Sequence, residues 1–234
     1  ATAYLTGFLR SRGFETRQAD PALELVLRLF SREGLLNVAK AVETKLQSGK
    51  KLTGKKRWKP SVAVQHFMSH LPHYLRTVEP TIRFLQGRDS TLAMRIAGGD
   101  FLPEGPRMEA ALAQFAPGDG GEGDALGWAF GVLGVQDRAK HLATLFLDDL
   151  ADVIHDAVHD HFTLSRYGEK LAASLPTFDP LAAALLAPPS LVDELLREIT
   201  VELVQRHRPT VIGLTVPFPG NVYGALRMAE TIRA

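Results

Sequence analysis

P-T-V-I-G-L-T-V-P-F-P-G-N-V-Y-G-A-L-R, residues 209–227, opens on a β-branched, apolar run at Thr210–Val216. That run is too short for a helix and suits a buried strand. Pro217, Pro219 and Gly220 break it. Beyond the break Val222, Leu226 and Ala229–Glu230 recur at helical spacing, with Asn221 where an N-cap belongs. Strand, tight turn and helix make half of a βαβ unit. In open parallel sheets, ligands bind in the crevice at the carboxyl ends of the strands. Thr215–Asn221 is therefore the first candidate site.

The opposite end of the chain reads in a compatible way. Thr2–Arg12 has Tyr4, Leu5, Phe8 and Leu9 at helical spacing, and Gly13 stands where a C′ glycine ends a helix. Phe14–Gln18 alternates in character as a strand does. Asp20-Pro21 starts the next helix, Asp as its cap and Pro at its first position.

Two of these stretches carry a resemblance. V-I-G-L-T-V-P-F-P-G-N-V-Y-G-A-L-R resembles the third strand and following helix of the cobalamin-binding domain of B12-dependent radical S-adenosylmethionine proteins. A-Y-L-T-G-F-L-R-S-R-G-F-E-T-R-Q-A-D resembles that domain's first helix, glycine turn and second strand. The resemblance implies an incomplete Rossmann-like, doubly wound α/β domain formed by residues 1–20 and 195–234. Residues 21–194 are then a large α-helical insertion, and the whole is helix-dominated. It also implies a strand before Ala1 and others after Ala234, or a partner chain that completes the sheet. The cofactor is cobalamin, and the matching positions are Thr2, Tyr4, Thr215, Val216, Pro217, Phe218, Gly220 and Asn221. Phe218 suits a flat macrocycle, and backbone N–H groups near Asn221 suit amide or phosphate oxygens. No Asp-x-His-x-x-Gly motif occurs, so no axial histidine is expected from the chain. S-adenosylmethionine and a 4Fe-4S cluster belong to a downstream domain, where Cys-x-x-x-Cys-x-x-Cys is expected. The chain has no cysteine, so it supplies no thiolate for such a cluster and no cysteine nucleophile. Its role is to place the corrin for chemistry on a small-molecule or other substrate, and no catalytic residue is assigned.

Composition bounds the rest. Hydrophobic residues make up 45% and charged residues 23% of 234, as in ordinary globular domains. A net charge of +1 gives no field favouring nucleic acid or an anionic membrane. No apolar run nears the ~20 residues that span a bilayer. Absent cysteines and no signal peptide agree with a cytoplasmic protein.

The middle of the chain offers two further candidates. Lys50–Lys59 carries six cations in ten residues around Trp58, which fits a phosphate or RNA patch or a solvated connection. His66 and His70 share a helix face, with His73 beyond Pro72, and Asp152/His155 and Asp156/His159 repeat an Asp-x-x-His spacing. Carboxylate and imidazole at that spacing can bind a metal, and a polar helix face with Asp–His hydrogen bonds gives the same pattern. A metal-binding helical protein using 66–73 and 148–161, or a non-catalytic interaction module, are the alternatives to cobalamin. The run G-D-G-G-E-G-D at 118–124 lacks a calcium-loop register.

Overall fold

A computed structural model describes residues 2–51, 58–114, 134–160, 162–164, 177–217 and 219–234. The chain divides into two compact units, residues 29–164 and residues 1–28 with 165–234. The insertion expected from sequence ran from 21 to 194.

Unit 29–164 is organised by one helix. Helices α1 (Thr2–Ser11), α2 (Pro21–Leu29), α3 (Arg32–Lys51), α4 (Val62–Ser69), α5 (Leu71–Leu85), α6 (Leu92–Ala97), α7 (Pro106–Gln114) and α8 (Val135–Ala157) come first. They are followed by α9 (Asp179–Leu186), α10 (Leu191–His207), a 3-10 turn at Pro219–Asn221, and α11 (Val222–Arg233). In α8 Ala139, Leu142, Ala143, Phe146, Leu150, Val153, Ile154 and Ala157 are buried, a three-and-four spacing that makes one continuous apolar stripe. Helices α3, α4, α5, α6 and α7 all pack on it. On α3 the matching stripe is Leu35, Val38, Ala39 and Val42. Tyr74 of α5 stacks on Phe146 at 5.5 Å and leans on Phe67 of α4 at 5.3 Å, so three rings fill the centre.

In the other unit, α10 packs along α11 and α9 touches it. Ser190 starts α10 with a reciprocal capping box: its hydroxyl accepts from Asp193 N, and the Asp193 carboxylate accepts from Ser190 N. The helix ends on Arg208 in the left-handed region, φ 42°. Asp20 caps α2 by accepting from Leu23 N at 3.0 Å. Gly13 stands at φ +83°, where a side chain would strain the turn after α1.

The expected α/β fold is not found. Among the described residues there is no strand, so neither Phe14–Gln18 nor Thr210–Val216 belongs to a sheet and the Rossmann-like assignment is overturned. Alternation and β-branching describe a segment that suits a ladder, and a ladder needs a hydrogen-bonding neighbour. At Phe14–Gln18 some backbone groups are taken locally: Phe14 N donates to Leu9 O, and the Arg10 guanidinium donates to Thr16 O at 2.9 Å. Residues 211–217 are exposed, with Val211 at 84%. Thr2, Tyr4, Thr215 and the residues around them therefore sit on a helix and in irregular chain, with no strand end beneath them.

Candidate functional site

The two ends of the chain meet side chain to side chain. Thr2 Oγ1 donates to Thr215 Oγ1 at 3.1 Å, across 213 positions of sequence. Thr2 is on the first turn of α1, and Thr215 lies in the segment that leads to α11. Thr6, one turn along α1, is buried; its hydroxyl bonds Thr2 O at 2.9 Å and reaches Gln18 Oε1 at 3.5 Å. The start of α1, the chain around Gln18 and the segment at 215 therefore lie side by side.

The surface they make is apolar and open. Tyr4 is 88% exposed, and Leu5, Phe8 and Phe14 are also exposed. Ala3, Tyr4, Gly7, Phe8 and Ser11 line a shallow depression along α1. Val211, Ile212, Leu214 and Val216 add uncovered apolar surface from the other segment. The apolar side of α1 read from the sequence is therefore present but unburied.

Of the other predicted cofactor positions, Val216 and Pro217 are exposed, and so are Gly220 and Asn221 in the turn before α11. A Cβ on Gly220 would meet nothing within 4 Å, so no neighbouring protein backbone demands glycine there. Asn221 is the N-cap of α11 by position, but its side chain makes no capping hydrogen bond. A 3-10 turn at Pro219–Asn221 leads straight into α11. Phe218 lies outside the described residues.

What holds α11 in place was not singled out from sequence. Tyr223 Oη donates to Asp193 Oδ1 at 2.8 Å, and Arg227 Nε donates to Tyr223 Oη at 3.0 Å. The Arg227 guanidinium also donates to the carbonyls of Ala184 (3.1 Å) and Ala187 (3.3 Å). Burial raises the Tyr223 hydroxyl, and the Asp193 carboxylate adds to that rise. Burial opposes the charge on Arg227, but the contacts with Tyr223 and Asp193 outweigh it and raise its pKa. Tyr223 and Arg227 are four apart on one face of α11, which is the signal the sequence did hold.

The histidine and aspartate clusters have other employment. Asp152 takes the Arg107 guanidinium through both oxygens, at 2.7 Å for Nη2 to Oδ1. Asp156 accepts from Ser61 N at 2.9 Å and Trp58 Nε1 at 3.3 Å. Burial works to raise its carboxyl, but these hydrogen bonds and the Lys45 ammonium outweigh it and hold it below the usual range. His155 Nδ1 lies 3.1 Å from Phe162 O, so that nitrogen carries the proton, and His159 Nδ1 lies 3.8 Å from Asp160 Oδ1. Among the described residues no three His, Cys, Asp or Glu side chains converge as a metal site. Trp58, at the C-terminal side of the basic run, is held in place: Lys45 Nζ sits 4.7 Å over its ring and donates to Asp156 O at 2.7 Å. Residues 52–57 and 118–124 lie outside the described residues.

Asp149 was not anticipated either. It is 2% exposed and accepts the N–H groups of Arg107 (2.8 Å) and Met108 (3.3 Å), capping α7 from the neighbouring helix α8. Burial raises its carboxyl against those two hydrogen bonds. Gly105 leaves the room for this carboxylate, because a Cβ there would fall 2.5 Å from Asp149 Cγ.

Among the described residues no helix is long and apolar enough to cross a membrane. No protein-family model, curated protein or solved structure matches the chain.

Proposed function

We propose that the chain is a cobalamin-binding portion of a radical S-adenosylmethionine enzyme, placing the corrin for chemistry performed by an iron–sulfur domain. The observation that supports this most is the Thr2–Thr215 hydrogen bond. The two segments that resemble the cobalamin domain are otherwise unrelated in sequence position, and they lie together. The proposal does not rest on a sheet in this chain.

The residues fit such a ligand in kind. Hydroxyls at Thr2 and Thr215 match the amide-bearing rim of a corrin. The exposed apolar side chains beside them match its flat hydrocarbon faces. The start of α11, where Asn221 makes no side-chain cap, matches amide or phosphate oxygens. When bound, cobalamin supplies a cobalt centre able to carry an alkyl group, and the protein's part is to bind and orient it. The downstream 4Fe-4S cluster, the S-adenosylmethionine and a cytoplasmic setting belong to the same proposal.

Titration of the protein with hydroxocobalamin tests it. Saturable binding that weakens in Thr215→Val and Phe218→Ala, with stability unchanged, is expected. Equal affinity in both variants contradicts the proposed contacts.

One observation favours a second reading, a protein-interaction module. Twelve of the fifteen large hydrophobic residues that are exposed among the described ones fall in residues 1–28 and 177–217, so the uncovered apolar surface is concentrated in one unit. If that surface docks a protein instead, Tyr4→Ser with Phe8→Ser abolishes an association seen by light scattering, and hydroxocobalamin shows no saturable binding to the wild type.

A further inference from the structure

The corner between α4 and α5 holds a polar contact that neither the cobalamin reading nor the packing of the unit uses. One residue, His70, separates the two helices. The His66 and His70 rings stack at 4.2 Å with 24° between their planes. His66 Nδ1 lies 3.1 Å from the hydroxyl of Tyr74, a residue 1% exposed at the centre of the three-ring core.

The proton positions follow from chemistry. His70 Nδ1 lies 3.0 Å from both His66 O and Ser69 Oγ, the carbonyl able only to accept. Burial, followed by the Asp149 carboxylate, raises the Tyr74 pKa, so the phenol stays protonated and needs an acceptor. Its hydrogen-bond partner among the described residues is His66 Nδ1. Neutral His66 therefore has its proton on Nε2 and its lone pair on Nδ1.

We propose that this corner is a proton-operated joint: neutral His66 accepts from Tyr74 and stacks on His70, and protonation of His66 breaks the first contact, opposes the second and loosens α4. A proton on Nδ1 turns two donors towards each other. Tyr74 can then rotate its hydroxyl to accept, which leaves a buried O–H without an acceptor. Two stacked imidazoles also resist a second positive charge.

The groups that face the joint come from each packed element. His70 sits at the corner and Glu109 is on α7, while Asp149 on α8 acts on Tyr74. At the other end of α4, Asp156 of α8 holds Ser61 N. Burial and His70 lower the His66 pKa from 6.5, and Glu109 opposes them without prevailing. The folded value lies below the unfolded one, so the stabilisation is present above 6.5 and is lost as pH falls through the folded value.

Histidine ring NMR with hydrogen exchange of residues 62–74 tests the joint. Expected is a neutral, Nε2-protonated His66 at neutral pH that titrates below 6.5 and moves up towards 6.5 in Tyr74→Phe. Exchange of 62–74, corrected for intrinsic pH dependence, rises as His66 protonates, while residues 142–154 of α8 stay protected. His66→Gln, which can still accept from Tyr74 and takes no proton, keeps 62–74 protected. A His66 midpoint at or above 6.5, or the same loss of protection in His66→Gln, overturns the proposal. Should His66→Gln fail to fold, the titrations of wild type and Tyr74→Phe decide it alone.

Discussion

Arg227→Met cuts the cation that ties α11 to α10 and α9, and its cost follows from the contacts. The Arg227 side chain is 14% exposed and that of Asp193 6%. The substitution removes hydrogen bonds to Tyr223 Oη, Ala184 O and Ala187 O. Each contributes about 0.5–1.5 kcal/mol net. Asp193 is not stranded, because Ser190 N, Ser190 Oγ and Tyr223 Oη still donate to it. That keeps the loss below the full cost of leaving a buried charge alone, about 3–5 kcal/mol. Methionine preserves most of the stem's packing, so the expected loss is about 2–4 kcal/mol. Urea unfolding followed by circular dichroism measures it, and hydrogen exchange of 222–233 locates it in α11. Tyr223→Phe costs about 1–2 kcal/mol, and the double variant costs less than the sum because both residues share one hydroxyl. A loss of under about 0.5 kcal/mol in Arg227→Met refutes the network as the anchor of α11.

Three further outcomes are expected. Gly105→Ala drives a methyl into the Asp149 carboxylate and should cost about 1–3 kcal/mol, as should Asp149→Ala. The pair together should cost little more than one, and strict additivity in urea unfolding would show that they act separately. Asp156 has its folded pKa below 3.8, so its stabilisation is present above 3.8 and lost as pH falls through the folded value. Asp156→Asn should flatten that acid limb in pH-dependent melts, and an unchanged limb would exclude it. Phe218→Ala should weaken hydroxocobalamin by about 1–3 kcal/mol in a titration, for loss of an aromatic contact.

The helices were legible where the sequence carried its own punctuation. Asp20-Pro21 and Ser190 announced α2 and α10, and the Leu142–Ile154 stripe announced α8. What misled was Thr210–Val216, where β-branching signals an extended preference but says nothing about a neighbour. Period-two alternation at Phe14–Gln18 failed in the same way, and local bonds to Leu9 O and from Arg10 take Phe14 N and Thr16 O instead of a ladder. The repeated Asp-x-x-His of α8 was visible, but its employment was not. Spacing on one helix cannot report that Arg107 and Trp58 arrive from elsewhere to take Asp152 and Asp156. Asp149 was hidden for the same reason, its two donors lying 42 and 41 positions away. The proximity of Thr2 and Thr215 was expected only through the family resemblance, and composition alone gave no sign of it.

Equilibrium dialysis of the protein against hydroxocobalamin tests the central claim most directly. The account predicts that the corrin absorbance is retained at a saturating stoichiometry of one, and that Thr2→Val and Thr215→Val each weaken retention without shifting the urea midpoint. No retention above that of an unrelated helical protein, or retention indifferent to both substitutions, would contradict it.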